Sequence, residues 1–140
     1  MNIFRETDKL NGCPALPLAV EAWGELLRDG LTGDAVILQW DQSVVWVEQD
    51  GVPVAVILWA YQEYRREIWI GLSYTRPEVR GNGLFRTLYQ RIVAIAKEKK
   101  AIRIAGGVNV GNAIMREAAE RCGRKADYIV YSQAVEQSCG

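Results

Sequence analysis

Between residues 75 and 85 the chain reads Thr75-Arg76-Pro77-Glu78-Val79-Arg80-Gly81-Asn82-Gly83-Leu84-Phe85. A glycine loop that opens a helix presents unpaired backbone N–H groups at the positive end of the helix dipole, and such a place binds anions. Phosphate is the expected occupant. Gly81 and Gly83 permit unusual backbone angles and close approach of a ligand, and Arg80 can add a charge-assisted contact to a phosphate oxygen. The glycines alone fit a plain turn equally well, because glycine is the default turn residue. The loop lacks the Walker lysine pattern, and it does not follow the first strand of a βαβ unit as a dinucleotide fingerprint does.

The elements that must position this loop are legible on both sides of it. Leu16, Val20, Trp23, Leu26 and Leu27 recur at helical spacing up to Asp29-Gly30, which predicts a first helix. Three runs rich in Val, Ile, Trp and Tyr follow as strands: Val44 to Glu48, Val52 to Tyr61 and Glu67 to Thr75. Asp50-Gly51 predicts a hairpin turn between the first two, and Glu63 to Arg66 the joint to the third, giving an antiparallel meander. After the loop, Leu84, Phe85, Leu88, Ile92, Ile95 and Ala96 mark one face of a helix that ends in Lys97 to Lys100, where lysines suit the negative end of its dipole. Ala101 to Ala105 then predicts a short strand with Ile102 and Ile104 buried, and Gly106-Gly107 a break. Ile114, Met115, Ala118, Ala119 and Cys122 mark a last helix, and Tyr128 to Tyr131 a last strand. The order predicts an α/β layered domain with a mixed sheet, in one unit over residues 1–140.

Composition narrows the chemistry. Seventeen basic and 17 acidic residues balance, so the basic excess of a phosphate-tracking surface is missing and nucleic acid is a poor expectation. The longest apolar runs fall well short of a bilayer span, and Arg5, Glu6, Asp8 and Lys9 interrupt any secretory core at the start, which predicts a cytoplasmic protein with no membrane span. Cys13, Cys122 and Cys139 lack paired short spacing, so free thiols are expected rather than a disulfide framework or zinc site. With no histidine in the chain, Ser-His-Asp, Cys-His and zinc-hydrolase chemistry are all disfavoured.

Against that background, Pro77-Glu78-Val79-Arg80-Gly81-Asn82-Gly83-Leu84 resembles the cofactor loop of the GNAT N-acetyltransferases, in which Arg/Gln-x-x-Gly-x-Gly/Ala wraps the pyrophosphate of coenzyme A. The match runs Arg80-x-x-Gly83-x-Phe85, with Phe85 where Gly or Ala is usual, a departure that requires its side chain to turn into the core. The resemblance extends over most of the chain and implies a GNAT-like mixed sheet with an antiparallel N-terminal meander and flanking helices. It also implies acetyl-coenzyme A, or another acyl-coenzyme A, as co-substrate. By the same resemblance, backbone groups near Tyr74, Thr75 and Arg76 hold the pantetheine, Arg80 to Phe85 the pyrophosphate, and Asn112 the cofactor from the start of the second helix. Asn109 and Asn112 serve equally well as helix caps.

The implied reaction is N-acyl transfer to a primary amine by direct attack. An ammonium near pKa ~10.4 must lose a proton first, and Glu67, Glu48 and Glu63 in or beside the meander are the candidate bases, each of which also fits a solvated strand or turn residue. The tyrosine that many family members use to protonate the departing thiolate is replaced by Ala119, leaving Tyr128, Tyr131, Cys122 or water. Trp40, Trp46, Trp59 and Trp69 are either core residues or, in part, an aromatic wall for the acceptor. Two further readings stand beside the enzyme: a non-catalytic acyl-coenzyme A binder, motivated by Ala119, and a partner-binding protein whose glycines only turn the chain. Homodimerisation through sheet edges is implied by resemblance.

Overall fold

The computed structural model describes residues 1–31, 38–127 and 129–135. Strand β1 (Asn2–Thr7) precedes helix α1 (Leu16–Arg28), followed by β2 (Ser43–Gln49), β3 (Val52–Gln62) and β4 (Glu67–Thr75). Helix α2 (Leu84–Glu98), strand β5 (Arg103–Gly106) and helix α3 (Ala113–Arg121) complete the order. The strands form one sheet in sequence order, β1-β2-β3-β4-β5, antiparallel throughout except for the parallel pair β4/β5. The expected meander is present, joined at Asp50-Gly51 with φ of 52° and 78°, as a two-residue hairpin of this hand requires.

The two faces of the sheet are covered by different helices. Leu18, Ala19 and Ala22 of α1 pack with Val44, Trp46, Val56, Leu58, Leu72 and Tyr74 on one face. On the other, Leu84, Leu88, Tyr89, Ile92, Ile95 and Ala96 of α2 pack with Val45, Val47, Ile57, Trp59, Ile68 and Ile70. The α1 stripe read from large residues is corrected here: Val20 and Leu27 are 49% and 55% exposed, and the helix approaches the sheet on its alanines instead. Ile102 is likewise exposed rather than buried, because β5 begins one residue later, at Arg103. Of the last expected strand, Tyr128 lies outside the described residues, and Ile129, Val130 and Tyr131 form exposed coil rather than strand. Among the described residues no ladder pairs with them, and that pairing is what fixes a strand. Among the described residues no helix is long and apolar enough to cross a membrane.

One irregularity decides the architecture of the site. Leu58 pairs with Leu72 and Trp59 with Ile70, so Gly71 is left unmatched on β4 as a bulge. The pairing of β4 with β5 ends at the neighbouring position, Ile70 opposite Gly106. Beyond it the two parallel strands separate, and a wedge-shaped gap opens between Gly71–Ser73 and Gly107–Asn109.

Candidate functional site

Strand β4 runs from this gap directly into the glycine loop. A turn of 3-10 helix at Pro77–Val79 brings the chain round, Arg80 is extended, and Gly81 and Gly83 take φ of 84° and 76°. Gly83 is the N-cap of α2 and supplies no side-chain cap. The first bond into the helix from its cap is Thr87 N–H to Gly83 O at 3.1 Å, which leaves the N–H groups of Leu84, Phe85 and Arg86 at the helix start without a helical acceptor. The loop braces itself from below: Arg80 Nε donates to Thr75 O at 2.8 Å and Asn82 Nδ2 to Val79 O at 3.0 Å. Phe85 turns inward, against the α2-side core and 6.0 Å from the Tyr89 ring, so its bulk does not obstruct the helix start.

Helix α1 reaches over the same end of β4 with two carboxylates one turn apart. Glu25 Oε2 accepts from the Tyr74 hydroxyl at 2.5 Å, and Glu21 Oε2 accepts from Arg76 Nε and Nη2 at 3.1 and 3.0 Å. Arg80 stands 4.0 Å from Glu25 and 5.8 Å from the Tyr74 ring. Burial and the Glu25 hydrogen bond push the Tyr74 hydroxyl well above the ordinary tyrosine range, so it keeps its proton and acts only as a donor. Glu21 and Glu25 escaped the sequence reading, although their spacing puts both on one helix face.

The gap itself is narrow, with free space of about 40 Å³. Asn112 borders it and caps α3, accepting from Met115 N–H at 3.1 Å; Asn109 borders it too and accepts from Gly111 N–H at 2.8 Å. A larger cavity of about 780 Å³ lies elsewhere, between β1, the loop after it and β2. Its buried carboxylate, Glu48, already accepts from Arg5 and from the Trp46 indole, so no uncompensated group there calls for a ligand.

Residues 15–123 match the model of the Acetyltransferase (GNAT) family. The chain belongs to the GNAT acetyltransferases. A sequence comparison with curated proteins gives no match. Solved acetyltransferase structures resemble it in fold. A ribosomal-protein-alanine N-acetyltransferase from Brucella melitensis biovar Abortus 2308 has a TM-score of 0.68 at 15% identity, over 96% of this chain and 99% of that one. A possible acetyltransferase from Clostridium difficile 630 gives 0.65 at 18%, over 98% and 99%. An aminoglycoside N-acetyltransferase in complex with coenzyme A gives 0.63 at 14%, over 96% and 95%.

Within this GNAT chain the structure gathers Tyr74, Thr75, Arg76, Arg80, Gly81, Asn82, Gly83, Leu84 and Phe85 into one continuous strand, loop and helix start, with Asn112 across the gap. Glu67 stands apart. It is only 1% exposed, at the closed end of the β4/β5 pair, about 13 Å along the strand from Gly71 at ~3.3 Å per residue. Its Oε2 accepts from Arg103 Nη1 at 2.9 Å, Arg103 also pairs with Asp127, and Oε1 is buried without a hydrogen-bond partner among the described residues. Glu48 and Glu63 lie on β2 and in the β3–β4 turn, and neither borders the gap. Tyr128 is outside the described residues, and Tyr131 is 89% exposed. Cys122 packs at the edge of the α2-side core, and burial pushes its thiol upward. Of the tryptophans, Trp46 and Trp59 are core, Trp40 is exposed, and Trp69 stands beside the closing end of the gap, opposite Ala105.

Proposed function

We propose that this GNAT chain is an N-acyltransferase that moves an acetyl or other acyl group from acyl-coenzyme A to a primary amine within a ternary complex. The observation that carries the reading is the continuity of a bulged strand, a parted strand pair and a glycine loop ending in open helix N–H groups. Those parts match the three regions of the donor: a pyrophosphate for the helix start, an extended polar arm for a strand edge, and a thioester for the apex of the gap.

The chain's own groups can divide the work as follows. The N–H groups of Leu84, Phe85 and Arg86 and the Arg80 guanidinium receive phosphate oxygens, with Arg80 leaving its long contact to Glu25. The edge of β4 that faces the gap, from Gly71 to Thr75, offers backbone partners to the arm. A backbone N–H at the Gly71 bulge, freed from the β3 ladder, is suited to stabilise the oxyanion of a tetrahedral intermediate, a contribution on the order of a hundredfold in rate. The acceptor proton leaves through water, with Glu67 Oε1 its terminal acceptor on the α1 face. The acceptor then approaches from the α1 side of the sheet, where Glu21 and Glu25 pair with Arg76, Tyr74 and Arg80.

Incubating the protein with acetyl-coenzyme A and a panel of small amines, amino acids and peptides, and reading free thiol, tests the activity. The expected result is amine-dependent thiol release with at least one class. Tight coenzyme A binding without release for any amine would instead establish the non-catalytic binder that Ala119 suggests.

A further inference from the structure

Among the described residues Arg124 is the one basic side chain that lines the gap. It follows α3 at the turn through Gly123, where its N–H donates to Ala119 O at 3.0 Å. The central carbon of its guanidinium stands over the Tyr89 ring, 5.3 Å from the centroid. Its Nη1 comes close to the gap's closing point: a Cβ built on Gly106 would stand 3.4 Å from that atom and 2.8 Å from Ile70 O.

Of the other arginines at this end of the molecule, Arg76 pairs with Glu21 and Arg80 with Glu25, while Arg86 and Arg121 stand near Cys122 without lining the gap. Among the described residues Arg124 has no acid partner, and its Nε is buried without a hydrogen-bond partner. The titratable groups beside it are Tyr89 and Cys122, both raised by burial and therefore uncharged near neutrality. Partial burial also lowers the Arg124 pKa, against a smaller opposing effect of Tyr89 and Cys122. A partly buried guanidinium that borders the gap without an acid partner is suited to receive an anion there. The position at the apex, rather than at the helix start, separates that anion from the pyrophosphate.

We propose that Arg124 stabilises the coenzyme A thiolate as it departs. The inference rests on the acyl-transfer reading above. The amine nitrogen forms a bond to the acyl carbon and gives its proton to water. The carbon–sulfur bond breaks with its electron pair on sulfur, and the thiolate is held by the guanidinium until water protonates it. The Tyr74 hydroxyl is committed to Glu25 and lies on the α1 side, so it is not placed to protonate the sulfur.

The test needs no acceptor. Thiolate absorbance is followed against pH for coenzyme A bound to the protein, with the complex of desulfo-coenzyme A subtracted to remove the protein's own three cysteines. The bound thiol is expected to titrate about one to three pH units below the free one, as for an acid beside a close opposite charge. Arg124→Met is expected to abolish the lowering and Arg124→Lys to keep part of it, with coenzyme A affinity confirming that each variant is folded. A wild-type thiol that titrates as in free coenzyme A, or a lowering that survives in Arg124→Met, overturns the role of Arg124 while leaving the cofactor site intact. Should Arg124→Met not fold, the uncharged Arg124→Gln takes its place, and a lowering that survives there overturns the role equally. Failure of the wild type to bind coenzyme A overturns both this inference and the proposed function.

Discussion

Gly83→Asp is expected to weaken coenzyme A binding at least about a hundredfold, roughly 2.7 kcal/mol, with only a small loss of fold stability. The two halves of that expectation have separate causes. Gly83 sits at φ 76° with nothing within 4 Å of a built Cβ, so a side chain fits and the only local cost is the left-handed backbone, which Asp and Asn tolerate best. At an N-cap an aspartate is worth only a few tenths of a kcal/mol over glycine, which offsets part of the left-handed cost of about 1–2 kcal/mol, so the net loss of stability should stay small. The same carboxylate, however, occupies the helix N–H groups and places a negative charge where the pyrophosphate must sit. Gly83→Asn supplies the same shape without charge and should lose no more than about tenfold, since only close approach is impaired. Calorimetric titration with coenzyme A and a thermal melt of each variant read both halves. Equal binding losses for Asn and Asp would show that shape alone, and not an anion at the helix start, is being measured.

The second large effect is on the apex of the gap. Gly106→Ala is expected to destabilise the protein by about 1–3 kcal/mol, the range for forcing atoms into a packed site. A Cβ there would stand 2.8 Å from Ile70 O and 3.3 Å from Ile70 Cβ, and Ile70 cannot retreat because its other side is paired to Trp59 of β3. The strands would part earlier, and Nη1 of Arg124 would be displaced as well. Gly24→Ala is the control with the opposite sign. Gly24 lies inside α1, where a Cβ would meet only the end of the Arg28 side chain at 3.7 Å, and alanine in a helix interior is worth about 0.5–1 kcal/mol over glycine. Denaturant unfolding of the two variants should move in opposite directions. A neutral Gly106→Ala would mean that the apex is looser than its contacts imply.

What the sequence disclosed follows from how local each feature is. The bounds of β4, Glu67 to Thr75, and the Asp50-Gly51 turn are written in neighbouring residues, and both are found where they were expected. The glycine loop and its helix were likewise legible, because left-handed glycines and a helix start are local matters. The packing face of α1 was not. Large apolar residues at helical spacing suggested Val20 and Leu27, whereas the sheet takes Ala19 and Ala22, fully buried, because small side chains let the helix close in. The role of Glu21 and Glu25 depends on Arg76 and Tyr74, some fifty residues away in the chain, and no period in the sequence records such a pairing. The Gly71 bulge is hidden for a related reason: an extra residue in a strand is visible only against its partner's register. Glu67 shows the opposite limit, since its strand position was correct while its burial and its pairing with Arg103 could be learned only from the assembled sheet.

The central claim is that the donor runs from the α2 start along β4 into the gap, and a single titration addresses it most directly. Coenzyme A added to uniformly 15N-labelled protein should shift the backbone amides of Gly81 to Arg86 and of Gly71 to Thr75 together, with the same saturation curve. Saturating ligand that moves neither segment, or moves only the amides around Arg5 and Glu48 in the larger cavity, would contradict the account.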